Sequence, residues 1–327
     1  MIIPQKLKKG DEIRVVSPAH SLKMISSAVI TDAKNKLNEM GYNVTFSRHA
    51  NEKDEFNSMP ITSRIDELHE AFSDKNVKCI LTSIGGYNSN DILSYLDFDL
   101  IKSNPKIFSG FSDITILLNT IYAKTGLITY HGPFFSTFGM HSGLDYTLKY
   151  FNACLVYTDQ FEIEPSKEWS DDKWYIDQEH RNFIQNTGYY VINEGEAIGK
   201  IIGGNLCSFN LLQGTTFMPN LKDSILILED DKATNPYLFS RDIQSIINLP
   251  EFSGVGGVII GRFQQASGFT KEILTKIIKT KRELENIPVI ANADFGHTNP
   301  ILTIPIGGEL SLKVSKSEGI NIIIKKH

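Results

Sequence analysis

KIFSGFSDITILLNTIY, Lys106–Tyr122, is the stretch on which the fold turns. Lys106–Gly110 is a short apolar run of strand length, and a helical apolar pattern occupies Ile114–Tyr122. Between them Gly110-Phe111-Ser112-Asp113 makes a sharp turn with a serine at its tip. Upstream the same unit recurs. The runs Glu12–Ser17, Asn43–Phe46 and Cys79–Ile84 predict strands, and Leu127–His131 closes the series. Helical patterns lie between them, through Ala28, Ala33, Leu37 and Met40, from Pro60 through Ile65, Leu68 and Phe72, and over Asp91–Leu96. Strands alternating with helices of this length predict a parallel sheet wound with helices on both faces.

Beyond about Phe151 the character changes. EWSDDKWYIDQEHRNFIQN (Glu168–Asn186) crowds acids, amides and aromatics without an apolar period and reads as a long functional loop or connector. Strand-like runs resume at Glu196–Gly204, Ser224–Glu229, Gly257–Gly261 and Pro288–Ala293. The segments LTIPIG and ELSLKVSKSEGINIIIKK predict antiparallel strands, the last pair turning at Ser317-Glu318-Gly319. The expected class is α/β. An N-terminal wound sheet with a nucleophile elbow would occupy 1–150 and a connector 151–195, and a smaller α/β domain with mixed strands would occupy 196–327.

Composition narrows the function. A chain of 327 residues, 41 % hydrophobic and 22 % charged, can bury a substantial core. A net charge of −5 leaves no footprint for nucleic acid or an anionic membrane, and the basic runs Lys6–Lys9 and Lys276–Arg282 read as solvated faces. Cys79, Cys154 and Cys207 have no paired spacing, which argues against disulfides and zinc; Cys79 and Cys207 sit in apolar stretches, where a thiol behaves as a small hydrophobe. No run approaches the roughly 20 apolar residues of a membrane span. The N-terminus MIIPQKLKKGDEI lacks a signal-peptide core, so a reduced, cytoplasmic setting is expected.

In open α/β sheets ligands gather beyond the carboxyl ends of the strands. The residues there include His20, Gly85-Gly86, Gly110–Asp113, His131, Glu229–Asp231 and Asp294–His297. Ser112 on its elbow reads either as a nucleophile facing helix-terminal N–H donors or as a helix N-cap. Gly86 reads as an N–H donor to an oxyanion or as an ordinary turn. Glu229 reads as the carboxylate that orients a histidine, as part of a cap, or as a cation ligand. Among His20, His131 and His297, the last has the most turn-like surroundings, Gly296 before it and Thr298-Asn299-Pro300 after it. After Val15-Val16 the chain reads SPAH, without the glycine fingerprint of a dinucleotide site.

Eight segments in order carry a resemblance over nearly the whole chain: VVSPA (15–19), SIGGY (83–87), GFSDIT (110–115), YHGP (130–133), GGNL (203–206), LQGT (212–215), ILED (227–230) and DFGH (294–297). In these the sequence resembles the LD-carboxypeptidase family of serine peptidases. The resemblance implies Ser112 as nucleophile, His297 as general base, Glu229 as its orienting acid, and an oxyanion hole from the N–H groups of Gly86 and Asp113, with no metal or organic cofactor. It also implies a homodimer. The acidic-aromatic segment resembles the microcin C self-immunity branch, where an aromatic residue of this loop stacks on a nucleobase; Trp174 is the expected counterpart and Trp169 the second. Tyr87, Asn205 and Arg241 are further candidates for substrate contact. The implied substrate is a peptide–nucleotide conjugate; a murein tetrapeptide losing D-alanine is the alternative. A non-catalytic ligand-binding protein is the distant one.

Overall fold

The computed structural model describes residues 1–327. The first half contains β1 (Glu12–Val16), α1 (Ser27–Glu39), β2 (Asn43–Phe46), α2 (Ile61–Ser73), β3 (Val77–Thr82), α3 (Phe98–Ser103), β4 (Ile107–Gly110), α4 (Thr115–Thr125), β5 (Thr129–His131) and α5 (Asp145–Leu155). Four short strands follow: β6 (Phe161–Glu162), β7 (Glu168–Trp169), β8 (Ile184–Gln185) and β9 (Tyr190–Asn193). The second half runs through β10 (Gly195–Asn205), α6 (Leu206–Asn210), β11 (Ser224–Glu229), α7 (Pro236–Ile247), β12 (Val255–Gly261), α8 (Lys271–Lys279) and β13 (Val289–Ala293). It ends with β14 (Ile304–Ile306), β15 (Glu309–Ser315) and β16 (Gly319–Lys326).

The first sheet has the order β14-β5-β4-β3-β1-β2, parallel except for β14. Period-two alternation divides its apolar residues between two faces. Ile13, Val15, Cys79 and Leu81 face one way, toward Leu37 of α1 and Phe151 of α5. Val16 and Ile80 face the other, toward α2 and α4, in a core that continues into the second sheet. That sheet is eight-stranded, β6-β16-β15-β10-β11-β12-β13-β9, with β10 to β13 parallel and the rest antiparallel.

The α/β class with a wound parallel sheet and a second, mixed sheet is as the sequence predicts. The expected division of the chain differs from the structure in two ways. Residues 301–306 return to the first sheet, where β14 pairs antiparallel with β5. Helix α5 runs past the expected boundary at 150 to Leu155, and the connector supplies strands to both edges of the second sheet. Local patterning marks LTIPIG as an antiparallel strand but not which sheet it joins, because that depends on a partner distant in sequence.

Helix α4 is buried on nearly every side, from Thr115 to Ile121, because it lies between the two sheets. Asn119 fastens it to β10: its Nδ2 donates to Gly203 O at 2.8 Å and its Oδ1 accepts from Gly203 N at 3.1 Å. Thr115 Oγ1 accepts from Asn205 N at 2.9 Å. These bonds seat the start of α4, and the turn before it, beside the carboxyl end of β10. In register, Asn205 lies opposite Glu229 of β11.

Candidate active site

Ser112 stands on the turn between β4 and α4 with φ of 57°, a left-handed conformation that costs a non-glycine residue about 1–2 kcal/mol. The His297 Nε2 lies 3.0 Å from its Oγ, and the His297 Nδ1 lies 2.8 Å from Glu229 Oε2. With Nδ1 protonated, His297 donates to Glu229 and accepts from the Ser112 hydroxyl. Glu229 is fully buried at the end of β11, and His297 follows β13. Gly296 makes the close approach possible: at φ of +106°, a Cβ there would sit 2.6 Å from Glu229 Oε2.

Burial opposes charge on both partners, and their mutual attraction outweighs it. The Glu229 carboxyl, raised by burial, is brought below its ordinary range by the charge and hydrogen bond of His297. His297, lowered by burial, is brought above the ordinary imidazole range by Glu229, with Asp231 and Asp230 adding to the effect. Asp230 itself is pushed up to about 7 by burial and by Glu229. A base must be neutral to accept a proton, so the acid limb of kcat/KM should fall above pH 6.5, the ordinary imidazole value of about 6.5 being the reference. Glu229→Gln should move that limb to lower pH and drop the plateau by roughly 10³- to 10⁴-fold. A pH–rate profile of the two proteins checks both; an unmoved limb would separate it from His297.

Gly85 and Gly86 follow β3 and pass close to the serine. A Cβ on Gly85 would lie 3.0 Å from Ser112 Cβ, and one on Gly86 would lie 2.8 Å from His20 N. The Gly86 N–H has no protein acceptor. Asp113 is buried, with its carboxylate accepting from Ser89 N at 2.9 Å, so its side chain braces the turn and faces away from chemistry. His131 is wholly buried below the site against Phe111 and Phe295, and burial pushes it down to about 4.

A cavity of about 400 Å³ opens over Ser112 and His297. Gly85, Gly86 and Tyr87 form one side, and Trp174 with Tyr175 of the connector forms another; Asp231 adds a carboxylate. Of the expected substrate contacts, Trp174 and Tyr87 are therefore at this cavity. Three are not. Trp169 packs its ring 5.1 Å from the Arg262 guanidinium in a separate pocket, because β7 pairs with β8 at the base of the loop. Asn205 caps α6, accepting from Ser208 N, and donates to Asp230 Oδ1 at 3.3 Å, so it acts behind Glu229. Arg241 is exposed on α7, paired with Asp242. Cys207, expected among apolar neighbours, is exposed on α6, whereas Cys79 and Cys154 are buried.

The sequence did not reveal how the connector is held. Asp294 and Asn299, on either side of His297, both grip it. Asp294 accepts from Ser166 N at 2.8 Å, Ser166 Oγ at 2.7 Å and Tyr189 Oη at 3.1 Å. Asn299 and Ser170 exchange two backbone bonds of 2.7 Å. The tip is closed by Arg181, whose Nε donates to Asp172 at 2.8 Å, and tied to the first half by Gln178 Nε2 donating to Gly139 O at 2.7 Å. The DFGH segment was a legible signal of importance; that its first residue is an anchor was not.

Fold and site together define a two-sheet α/β protein with a Ser–His–Glu constellation of the kind that serves acyl transfer. The chain belongs to the LD-carboxypeptidase family: residues 13–132 match the LD-carboxypeptidase N-terminal domain and residues 198–312 its C-terminal domain. It is 53 % identical to "Putative carboxypeptidase YocD" of Bacillus subtilis, over 98 % of this chain and 99 % of that one. The crystal structure of an MccF-like protein from Bacillus anthracis superposes with a TM-score of 0.98 at 54 % identity, covering all of both chains. Microcin C7 self-immunity protein MccF, solved in complex with aspartyl sulfamoyl adenosine, superposes with a TM-score of 0.87 at 30 % identity, covering 100 % of this chain and 99 % of the other. No helix is long and apolar enough to cross a membrane.

Proposed function

We propose that this chain is a serine peptidase that cleaves peptide–nucleotide conjugates at the bond joining the acyl group to the nucleotide portion. The observation that carries the reading is the shared cavity of Ser112, His297 and Trp174. A half-buried indole lining the cavity of a nucleophile suits a nucleobase, since every base offers a π-face. The sulfamoyl adenosine ligand of MccF supports the same substrate class. In the proposed mechanism His297 takes the Ser112 proton as Oγ attacks the carbonyl carbon, and the N–H groups of Gly86 and Asp113 receive the oxyanion. His297 then protonates the leaving group, and water releases the acyl group from Ser112.

Murein tetrapeptide cleavage would require a donor for the terminal carboxylate. Arg241, the residue considered for it, is on the surface of α7 outside this cavity, which favours the conjugate. The deciding experiment is paired hydrolysis of aspartyl sulfamoyl adenosine and a murein tetrapeptide, followed by mass spectrometry. Release of the nucleoside sulfamate with the tetrapeptide intact is expected; release of D-alanine alone would overturn the reading. Trp174→Ala should lower kcat/KM for the conjugate about 10- to 100-fold, chiefly through KM, as loss of one base stack implies. An unchanged KM would return Trp174 to a packing role.

A further inference from the structure

The first sheet reverses its winding between β1 and β3, whose neighbours β2 and β4 lie on opposite sides. At such a switch point the segments leaving the two strands part and open a crevice. Here those segments carry His20 after β1 and Tyr87-Asn88 after β3, and beyond them lies a second cavity, of about 590 Å³. His20 and Tyr87 line both this cavity and the one over Ser112, so the two adjoin across that pair of rings, which meet edge to face with centroids 5.7 Å apart.

The second cavity is built for a polar chain with a positive end. Its buried wall is Arg64, only 2 % exposed, whose guanidinium donates to Asn88 O at 2.8 Å and meets Asp91 at 3.4 Å. The Arg64 Nε and the Asn88 Oδ1 are buried without partners; the Asp91 carboxylate, its side chain 45 % exposed, is open to a ligand. Asp54 and Asp91 face one Arg64, so with His20 neutral the walls hold one negative charge in excess. Burial holds His20 below its ordinary range, although Asp113 and Asp54 oppose this. Phe56, 69 % exposed at the rim, offers an uncovered apolar surface.

The direction of the substrate follows from the chemistry of the proposed function, on which this inference rests. His297 protonates the leaving group, so that portion lies on the His297 side, where the connector bearing Trp174 is bridged to Asn299. The acyl portion then extends the opposite way, past Gly86 toward His20 and Tyr87. We infer that the cavity between Asp54, Phe56, Arg64 and Asp91 is an extension subsite that receives the residues preceding the scissile acyl group, with the peptide α-ammonium directed at its carboxylates. Binding energy gathered there, remote from the reacting atoms, would raise kcat/KM for longer peptides.

The test compares aspartyl sulfamoyl adenosine with the same compound extended by two N-terminal alanines, and with its N-acetylated form. Wild type should cleave the free-amine extended conjugate about tenfold better in kcat/KM than the single-residue one, the equivalent of one good added contact. Acetylation should remove most of that gain. Asp54→Asn, which keeps the oxygen accepting from Phe56 N and Ser58 N, and Phe56→Ala should each abolish the preference through KM while leaving aspartyl sulfamoyl adenosine turnover within about twofold. No preference in wild type, or equal losses on both substrates in the variants, would overturn the subsite. Wild type inactive on all three compounds would instead overturn the proposed function.

Discussion

Replacing Ser112 by alanine is expected to lower kcat on the conjugate by at least about 10⁴-fold, because the members of a triad act as a unit and what survives is binding alone. His297→Ala should cost as much, and the double variant little more than either single one. The position also carries strain that the serine alone justifies. Ser112 sits at φ of 57°, where Gly85 presses so close that a Cβ there would stand 3.1 Å from the Oγ. Glycine relieves a left-handed backbone, so Ser112→Gly should be as stable as wild type or more so, by up to about 1 kcal/mol, while equally inactive. Thermal unfolding paired with single-turnover kinetics reads both effects. A Ser112→Ala protein with near-full activity would remove the serine from the mechanism. A Ser112→Gly protein that is markedly less stable would mean that the elbow is held by the serine's contacts and stores no strain.

How far the sequence reached can be judged on particular residues. The strands β1, β2, β4 and β11 were legible because each is a short apolar run bounded by a turn residue. Strand-end positions then held Ser112, Glu229 and His297 among other candidates, and the family resemblance singled those three out. Two tryptophans five positions apart in one loop defeated the same method. Trp169 and Trp174 have similar neighbours, and nothing periodic says which one a fold will use. The difference lies in contacts across the chain: Trp169 is held over Arg262, whereas Trp174 rides on a tip closed by Asp172 and Arg181. Asn205, a further candidate for substrate contact, ends a strand and begins a helix, and its side chain serves as the N-cap of α6. LTIPIG was legible as an antiparallel strand, but its return to the first sheet was not, because its partner β5 lies more than 170 positions earlier in the chain.

Asp294→Ala should be the most destabilising single substitution near the site, at about 3–5 kcal/mol, the usual cost of stranding one member of a buried ion pair. Asp294 is wholly buried and its Oδ1 lies 2.7 Å from Arg262 Nη1, itself in a side chain only 3 % exposed. That nitrogen has no aligned hydrogen bond, so the contact is charge against charge, while the other guanidinium nitrogens donate to Asn292. Removing the carboxylate leaves a buried cation, and it also orphans the Ser166 and Tyr189 donors that fix the connector. The expected readout is a lowered melting temperature together with a fall in kcat, since Asp294 begins the turn that ends in His297, and a raised KM for the conjugate, since the connector bearing Trp174 is loosened. Replacing both partners, Asp294→Leu with Arg262→Met, separates the two consequences. An apolar pair can recover much of the stability, as buried ion pairs are often no better than packed hydrocarbon. It cannot restore the acceptor that Ser166 and Tyr189 need, so the connector should stay loose and KM for the conjugate should stay raised. If the double variant regained both stability and KM, Asp294 would be only a counter-ion, and the tether between Trp174 and His297 would run through Ser170 and Asn299 alone.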